Sequence, residues 1–138
     1  MKDKLKGILS IIIILLIVVE IVLSIYLLYD SAKSLTLCIV GESCGFVQNS
    51  IYGSIFGIKL GYFAIVAFVI LLAMKFINKK LFLILSALGA SIAIYYISIQ
   101  LFVLKAICSS CIIIDSIMLV IFALALIQFF GEKNSKKK

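Results

Sequence analysis

The chemistry in this chain rests on sulfur. Its four cysteines fall in two pairs: Cys38 and Cys44, separated by five residues, and Cys108-Ser109-Ser110-Cys111, more than sixty residues later. Paired thiols pass electrons by interchange, in which a thiolate lines up on a disulfide sulfur and displaces its partner. A C-x-x-C that opens a helix sets both sulfurs on one face within bonding reach. The positive end of the helix favours the thiolate there. Cys108 stands nearer water, and Cys111 about one turn deeper. The segment Cys38-Ile-Val-Gly-Glu-Ser-Cys44 is short enough to close a disulfide and, opened, to swing one sulfur toward Cys108. Static disulfides or inert buried thiols are the plain alternative. Zinc suits the set poorly: five residues exceed the usual two to four between ligands, and the chain has no histidine. No metal site is expected.

Two acids fall inside apolar runs, where an ionisable group is a functional candidate by default. Asp115 comes four residues after Cys111 and seven after Cys108, so all three share a helix face. A hydrogen bond to a neighbouring helix is its bland reading. Glu20 precedes Ser24 by four on one face. An interhelical polar contact accounts for that pair, with a proton path as the other reading. Ser50 suits the cap of a helix starting near Ile51. Tyr95 and Tyr96 suit an interfacial aromatic belt.

The elements that must carry these groups follow from composition. Of 138 residues 65% are hydrophobic, and Pro, Trp and His are absent. That is too apolar for a soluble domain of this size, so spans of about 20 residues are expected. They run about 7–29, 58–77, 81–104 and 107–130. Backbone groups in lipid must bond within their own segment, which makes the spans helices despite their Ile and Val. The expected fold is all-α: a polytopic four-transmembrane-helix bundle forming one domain over 1–138. An outer loop, 30–57, caps it, and a tail follows at 131–138. The first run is too long for a secretory leader and lacks a cleavage site, so it is expected to stay. Gly53, Gly57 and Gly61, at every fourth position leading into the second span, suggest close helix packing.

Lysine sets the orientation. Lys2, Lys4, Lys6, Lys75, Lys79, Lys80, Lys133, Lys136, Lys137 and Lys138 fall on the side of both termini, against Lys33, Lys59 and Lys105 opposite. The terminal side is therefore expected to be cytoplasmic and the cysteines extracytoplasmic, where disulfides persist. The net charge of +7 is explained by topology and anionic membrane lipid, with no nucleic acid as partner.

The order of a loop Cys, five residues, a second Cys, a Ser six residues on, and three further helices with C-x-x-C opening the last resembles the vitamin K epoxide reductase family. The supporting segments are Cys44-Gly-Phe-Val-Gln-Asn-Ser50, Gly53-Ser54-Ile55-Phe56-Gly57 and Lys105-Ala106-Ile107-Cys108-Ser109-Ser110-Cys111. The resemblance implies a disulfide-generating oxidoreductase that takes two electrons from a reduced secreted or membrane-anchored thioredoxin-like (DsbA-like) protein. It gives them to a membrane quinone, menaquinone or ubiquinone. Carried over by motif, Cys38 takes the partner's attack, Cys44 shuttles electrons to Cys108, and Cys111 faces the quinone. Ser50 matches the family's loop Ser or Thr and is a candidate to bond a quinone oxygen. Phe46, Tyr52, Phe56 and Phe63 are candidate walls of an apolar slot. Asp115 has no counterpart in that pattern; it is a candidate to sit at the quinone head-group or to deliver one of the two protons that quinone reduction consumes. Many family members carry a fused thioredoxin-like domain; this sequence has none, so a separate partner is expected. The Arg-free, Ile-rich composition suits the plasma membrane of a prokaryote. A small transporter, or a structural membrane protein with static disulfides, is the competing class. It leaves the pairing of the cysteines unexplained.

Overall fold

The structure is a computed structural model that describes residues 2–33, 50–105 and 109–135. Four helices, each long and apolar enough to cross a membrane, form the expected bundle. They are α1 (Lys2–Lys33), α2 (Leu60–Ile77), α3 (Lys79–Ser98) and α4 (Ser109–Ser135). α3 packs on α4, α1 on both α2 and α4, and α2 on α3. Both termini and the Asn78 turn share one end of the bundle; the starts of α2 and α4 share the other.

The terminal end is held by polar contacts. Asn78 alone joins α2 to α3, and its Oδ1 accepts from Lys80 N at 3.0 Å and Leu81 N at 3.5 Å, capping α3. Lys75 Nζ donates to Gln128 Oε1 and lies 4.8 Å above the Phe82 ring. Lys79 pairs with Glu132 at 2.9 Å. Both contacts tie the α2–α3 turn to the end of α4.

The core fills the middle, from Ile13 and Ile17 on α1, Phe68 and Leu71 on α2, Phe82 and Ala93 on α3, and Met118 and Ile121 on α4. Helices approach closely at two glycines. A Cβ on Gly61 would come within 2.8 Å of Leu28 Cδ2, and one on Gly89 would run into Met118 Cε. The outward faces are apolar as well, as lipid requires: Ile11, Leu15 and Val22 on α1 are all exposed from the bundle.

The other end departs from the sequence reading. A 3-10 turn (Ile51–Gly53) leads into a hairpin of β1 (Ser54–Ile55) and β2 (Ile58–Lys59), paired antiparallel as Ser54↔Lys59 and Ile55↔Ile58. Its two-residue loop has φ 55° at Phe56 and 80° at Gly57, the mirror-image turn that suits strand twist. The second helix thus starts at Leu60 and not at Ile58. Gly53 and Gly57 belong to a turn and a hairpin, so only Gly61 of the expected glycine stripe packs helix on helix. α3 ends in a π-helical turn (Ile99–Val103), closed by Leu104 N donating to Ile99 O at 2.9 Å. Such turns widen a helix locally and recur at functional sites.

Candidate redox site

Cys111 lies in the first turn of α4, and Asp115 one turn further on the same face. At 1.5 Å per residue it is about 6 Å deeper. Both line a partly open cavity of about 120 Å³ between the helices. Its walls are mostly apolar, from Leu27, Leu28, Leu60, Ile99, Leu104 and Ile114. Polar groups reach it from every side: Ser24 on α1, Tyr52 and Lys59 ahead of α2, Tyr96 and Gln100 on α3. The π turn matters here, because it carries Ile99 and Gln100, both buried, into that wall.

A cavity on the order of 150 Å³ lined by apolar side chains accepts a benzene ring. At about 120 Å³ and open on one side, this cavity can seat a single six-membered quinone ring with one edge in the opening. Its two carbonyl oxygens accept hydrogen bonds, and Tyr52, Tyr96 and Gln100 bring donors to the cavity. The residues present fit such a group.

The sequence-derived candidates divide. Cys111, Asp115 and Tyr52 line the cavity. Ser50 does not: its carbonyl accepts from Gly53 N at 2.9 Å, and its side chain does not cap the turn that follows. Phe56 sits at the hairpin tip, 99% exposed, and Phe63 also faces outward. Neither lines the cavity. The reason is the hairpin: its positive-φ tip turns Phe56 away from the bundle. Cys38, Cys44, Phe46 and Cys108 lie outside the described residues. Among the described residues no cluster of metal-ligating side chains occurs.

Four polar cavity residues, Ser24, Lys59, Tyr96 and Gln100, were not read as such from sequence. Tyr96 and Gln100 stand four apart on one helical face, a spacing that could have marked them. Tyr95, its ring edge-on to Tyr96 at 5.7 Å, stays on the outside. Lys59 reaches the cavity because β2 sets its direction. Glu20 is fully buried, and among the described residues it makes no interhelical hydrogen bond: neither carboxyl oxygen finds a partner there.

A family model, the vitamin K epoxide reductase family, matches residues 10–126. The chain belongs to that family. The match runs from the first turns of α1 through most of α4 and takes in every cavity residue. No curated protein matches the chain significantly. Family membership makes this a membrane thiol–disulfide oxidoreductase of a class that is quinone-linked in general and works with thioredoxin-like proteins.

Proposed function

We propose that this protein is a thiol:quinone oxidoreductase that makes disulfides outside the cytoplasm of a prokaryote. The reading is carried by one observation: Cys111 opens onto a ring-sized apolar cavity that also holds a carboxyl and phenol hydroxyls. In this reading a reduced thioredoxin-like protein attacks at Cys38, and its dithiol leaves as a disulfide. Its two electrons then pass from Cys44 to Cys108. When Cys108 and Cys111 form their S–S bond, two electrons and two protons are released, and all four end on a menaquinone or ubiquinone. The quinone supplies the sink for both. The protein supplies the rest: apolar walls keep out bulk water, Tyr96 and Gln100 orient the ring, and Asp115 holds a proton beside it. Ser50 serves this site indirectly, by fixing the turn that presents Tyr52. The lysine-rich terminal end faces the cytoplasm, and the cysteines face away from it.

The test is anaerobic addition of a short-chain quinone to the reduced protein, with each cysteine's state read by mass spectrometry. Cys108 and Cys111 should oxidise together, one disulfide per quinol formed. Replacing Cys44 by Ala should trap a mixed disulfide between Cys38 and a secreted protein. Cysteines that stay reduced under excess quinone would refute the proposal.

A further inference from the structure

Two buried polar side chains have no place in the reaction so far. Glu20 is 0% exposed and Ser24 is 1% exposed, one turn apart on the same face of α1. Among the described residues, Glu20 Oε1, Glu20 Oε2 and Ser24 Oγ find no hydrogen-bond partner. This is not the rule in this bundle: buried Ser86 donates to Leu83 O at 2.8 Å. A buried polar group left unpaired opposes folding, so packing alone does not account for the pair. A leucine at position 20 would fill the same space without that cost.

Their placement supplies a reason. Ser24 lines the cavity beside Cys111 and Asp115, and Glu20 lies one turn behind it. Asp115 on α4 lines the same cavity as Ser24, so the two acids approach Ser24 from two helices. An ionised carboxylate with no partner is costly inside an apolar bundle, and a carboxyl that carries its proton avoids that cost. The other titratable groups on this compartment, among the described residues, are Cys111 of α4, Tyr96 of α3, and Tyr52 and Lys59 ahead of α2.

We propose that Glu20 is a proton-relay residue of the quinone site, acting through Ser24 and Asp115 from behind the cavity wall. This rests on the function proposed above. Cys108 and Cys111 give up two electrons and two protons as their S–S bond forms, and the quinone oxygens end with one hydrogen each. One of those protons comes from Asp115, which is refilled from Glu20 by way of a single bridging water at Ser24, since neither Glu20 nor Ser24 hydrogen-bonds to Asp115 directly. Glu20 then recovers a proton from the two that the thiols release. The second thiol proton reaches the other oxygen directly. The carboxyl pair ends each cycle as it began, and no further oxidant or reductant is needed. Glu20 does not line the cavity, so it is a positioning and relay group and not a catalytic residue.

The experiment uses the full chain in lipid nanodiscs, with dithiothreitol as reductant and a short-chain quinone as acceptor. Infrared spectroscopy of the wild type, without quinone, should show the carbonyl stretch of a protonated carboxylic acid. Glu20→Gln should remove the Glu20 part of that band and leave the part from Asp115, and Glu20→Asp, which keeps the carboxyl, should move the Glu20 part. Positioned proton transfer contributes roughly 10²–10⁴-fold to a rate. With Asp115 still in place the loss should fall at or below the low end, about 10- to 100-fold in quinol formation. The solvent deuterium isotope effect should rise, because the proton step has become limiting. Reduction of the cysteines by dithiothreitol should keep its wild-type rate, and Glu20→Asp should recover most of the quinone rate. A merely structural residue would slow both half-reactions and leave the isotope effect alone. No protonated-carboxyl band at Glu20, or Glu20→Gln at wild-type rate, overturns the relay. A rate that follows sodium or potassium concentration through Glu20 overturns it in favour of a cation site. A wild-type protein that passes no electrons to quinone overturns the proposed function first, and the relay falls with it.

Discussion

Filling the cavity should separate the site from the fold. Ala64 on α2 lines the cavity and is only half-buried, so a larger side chain there grows into the void. Ala64→Leu adds three carbons. Buried at about 0.8 kcal/mol each, they contribute up to roughly 2.4 kcal/mol. Imperfect fit subtracts an amount of similar size, about 1–3 kcal/mol. The expected change in stability is therefore small, within about 2 kcal/mol of zero. The effect on the quinone is not small. A ring needs on the order of 150 Å³, and the cavity has about 120 Å³ with one open side. Leucine removes much of that room, so kcat/KM for quinone should fall by at least 100-fold, about 2.7 kcal/mol of lost transition-state binding. The assay is anaerobic reduction of a short-chain quinone by pre-reduced protein, beside thermal unfolding in detergent. Ala64→Val serves as the smaller step and should lie between. A leucine variant that unfolds normally and reduces quinone at the wild-type rate would refute the assignment of this cavity. Slow turnover with a collapsed melting temperature would instead mean that the fold was damaged, and the valine variant would then decide.

Other substitutions test the frame around the site. Gly57→Ala meets no atom within 4 Å, so its cost is the left-handed backbone at φ 80° alone, about 1–2 kcal/mol. It should appear as a lower melting temperature, with quinone turnover reduced less than twofold. Gly61→Ala has the opposite origin: helix propensity gains about 1 kcal/mol, but the new Cβ meets Leu28 Cδ2 at 2.8 Å and Cγ at 2.9 Å. Net destabilisation should be about 0–2 kcal/mol, and Leu28→Ala in the same chain should relieve it, a coupling measurable by a double-mutant cycle. Lys79→Met breaks an ion pair whose side chains are 64% and 30% exposed. It should cost about 0.2–1 kcal/mol at low salt and less at high salt, read by unfolding at two ionic strengths.

What could be read from the sequence followed the strength of the physical constraint. Lipid forces any long apolar run into a helix, so the spans were legible to within a few residues even through Ile- and Val-rich stretches. Helical period put Asp115 on the face of Cys111, and both line the cavity. The start of α2 was misread for an identifiable reason. A two-residue hairpin loop is usually announced by Asn-Gly or Asp-Gly. Here the first turn position is Phe56, a residue that rarely takes positive φ, and glycines four apart imitate a helix-packing stripe. The π turn at Ile99–Val103 left no trace in composition, so Gln100's place in the wall could not be foreseen. Tyr95 and Tyr96 looked alike as belt residues. Helical phase divides them, one outward and one onto the cavity, and only the neighbouring helices say which.

The bundle treats its two ends differently, and the difference bears on function. At the terminal end polar groups are matched: Asn78 caps α3, Lys75 finds Gln128, and Lys79 finds Glu132. Buried Ser86, nearer that end, bonds its own helix. At the cavity end the helix ladder is interrupted by the π turn, a short hairpin replaces the first turns of α2, and Glu20 and Ser24 find no hydrogen-bond partner among the described residues. A bundle stabilised evenly would have matched or removed those groups. The cavity end thus combines a void beside Cys111, an interrupted helix and a buried acid one turn behind the cavity wall. Each of these opposes folding, and each is what a site needs if it must admit a ring, take electrons from sulfur and supply protons away from water.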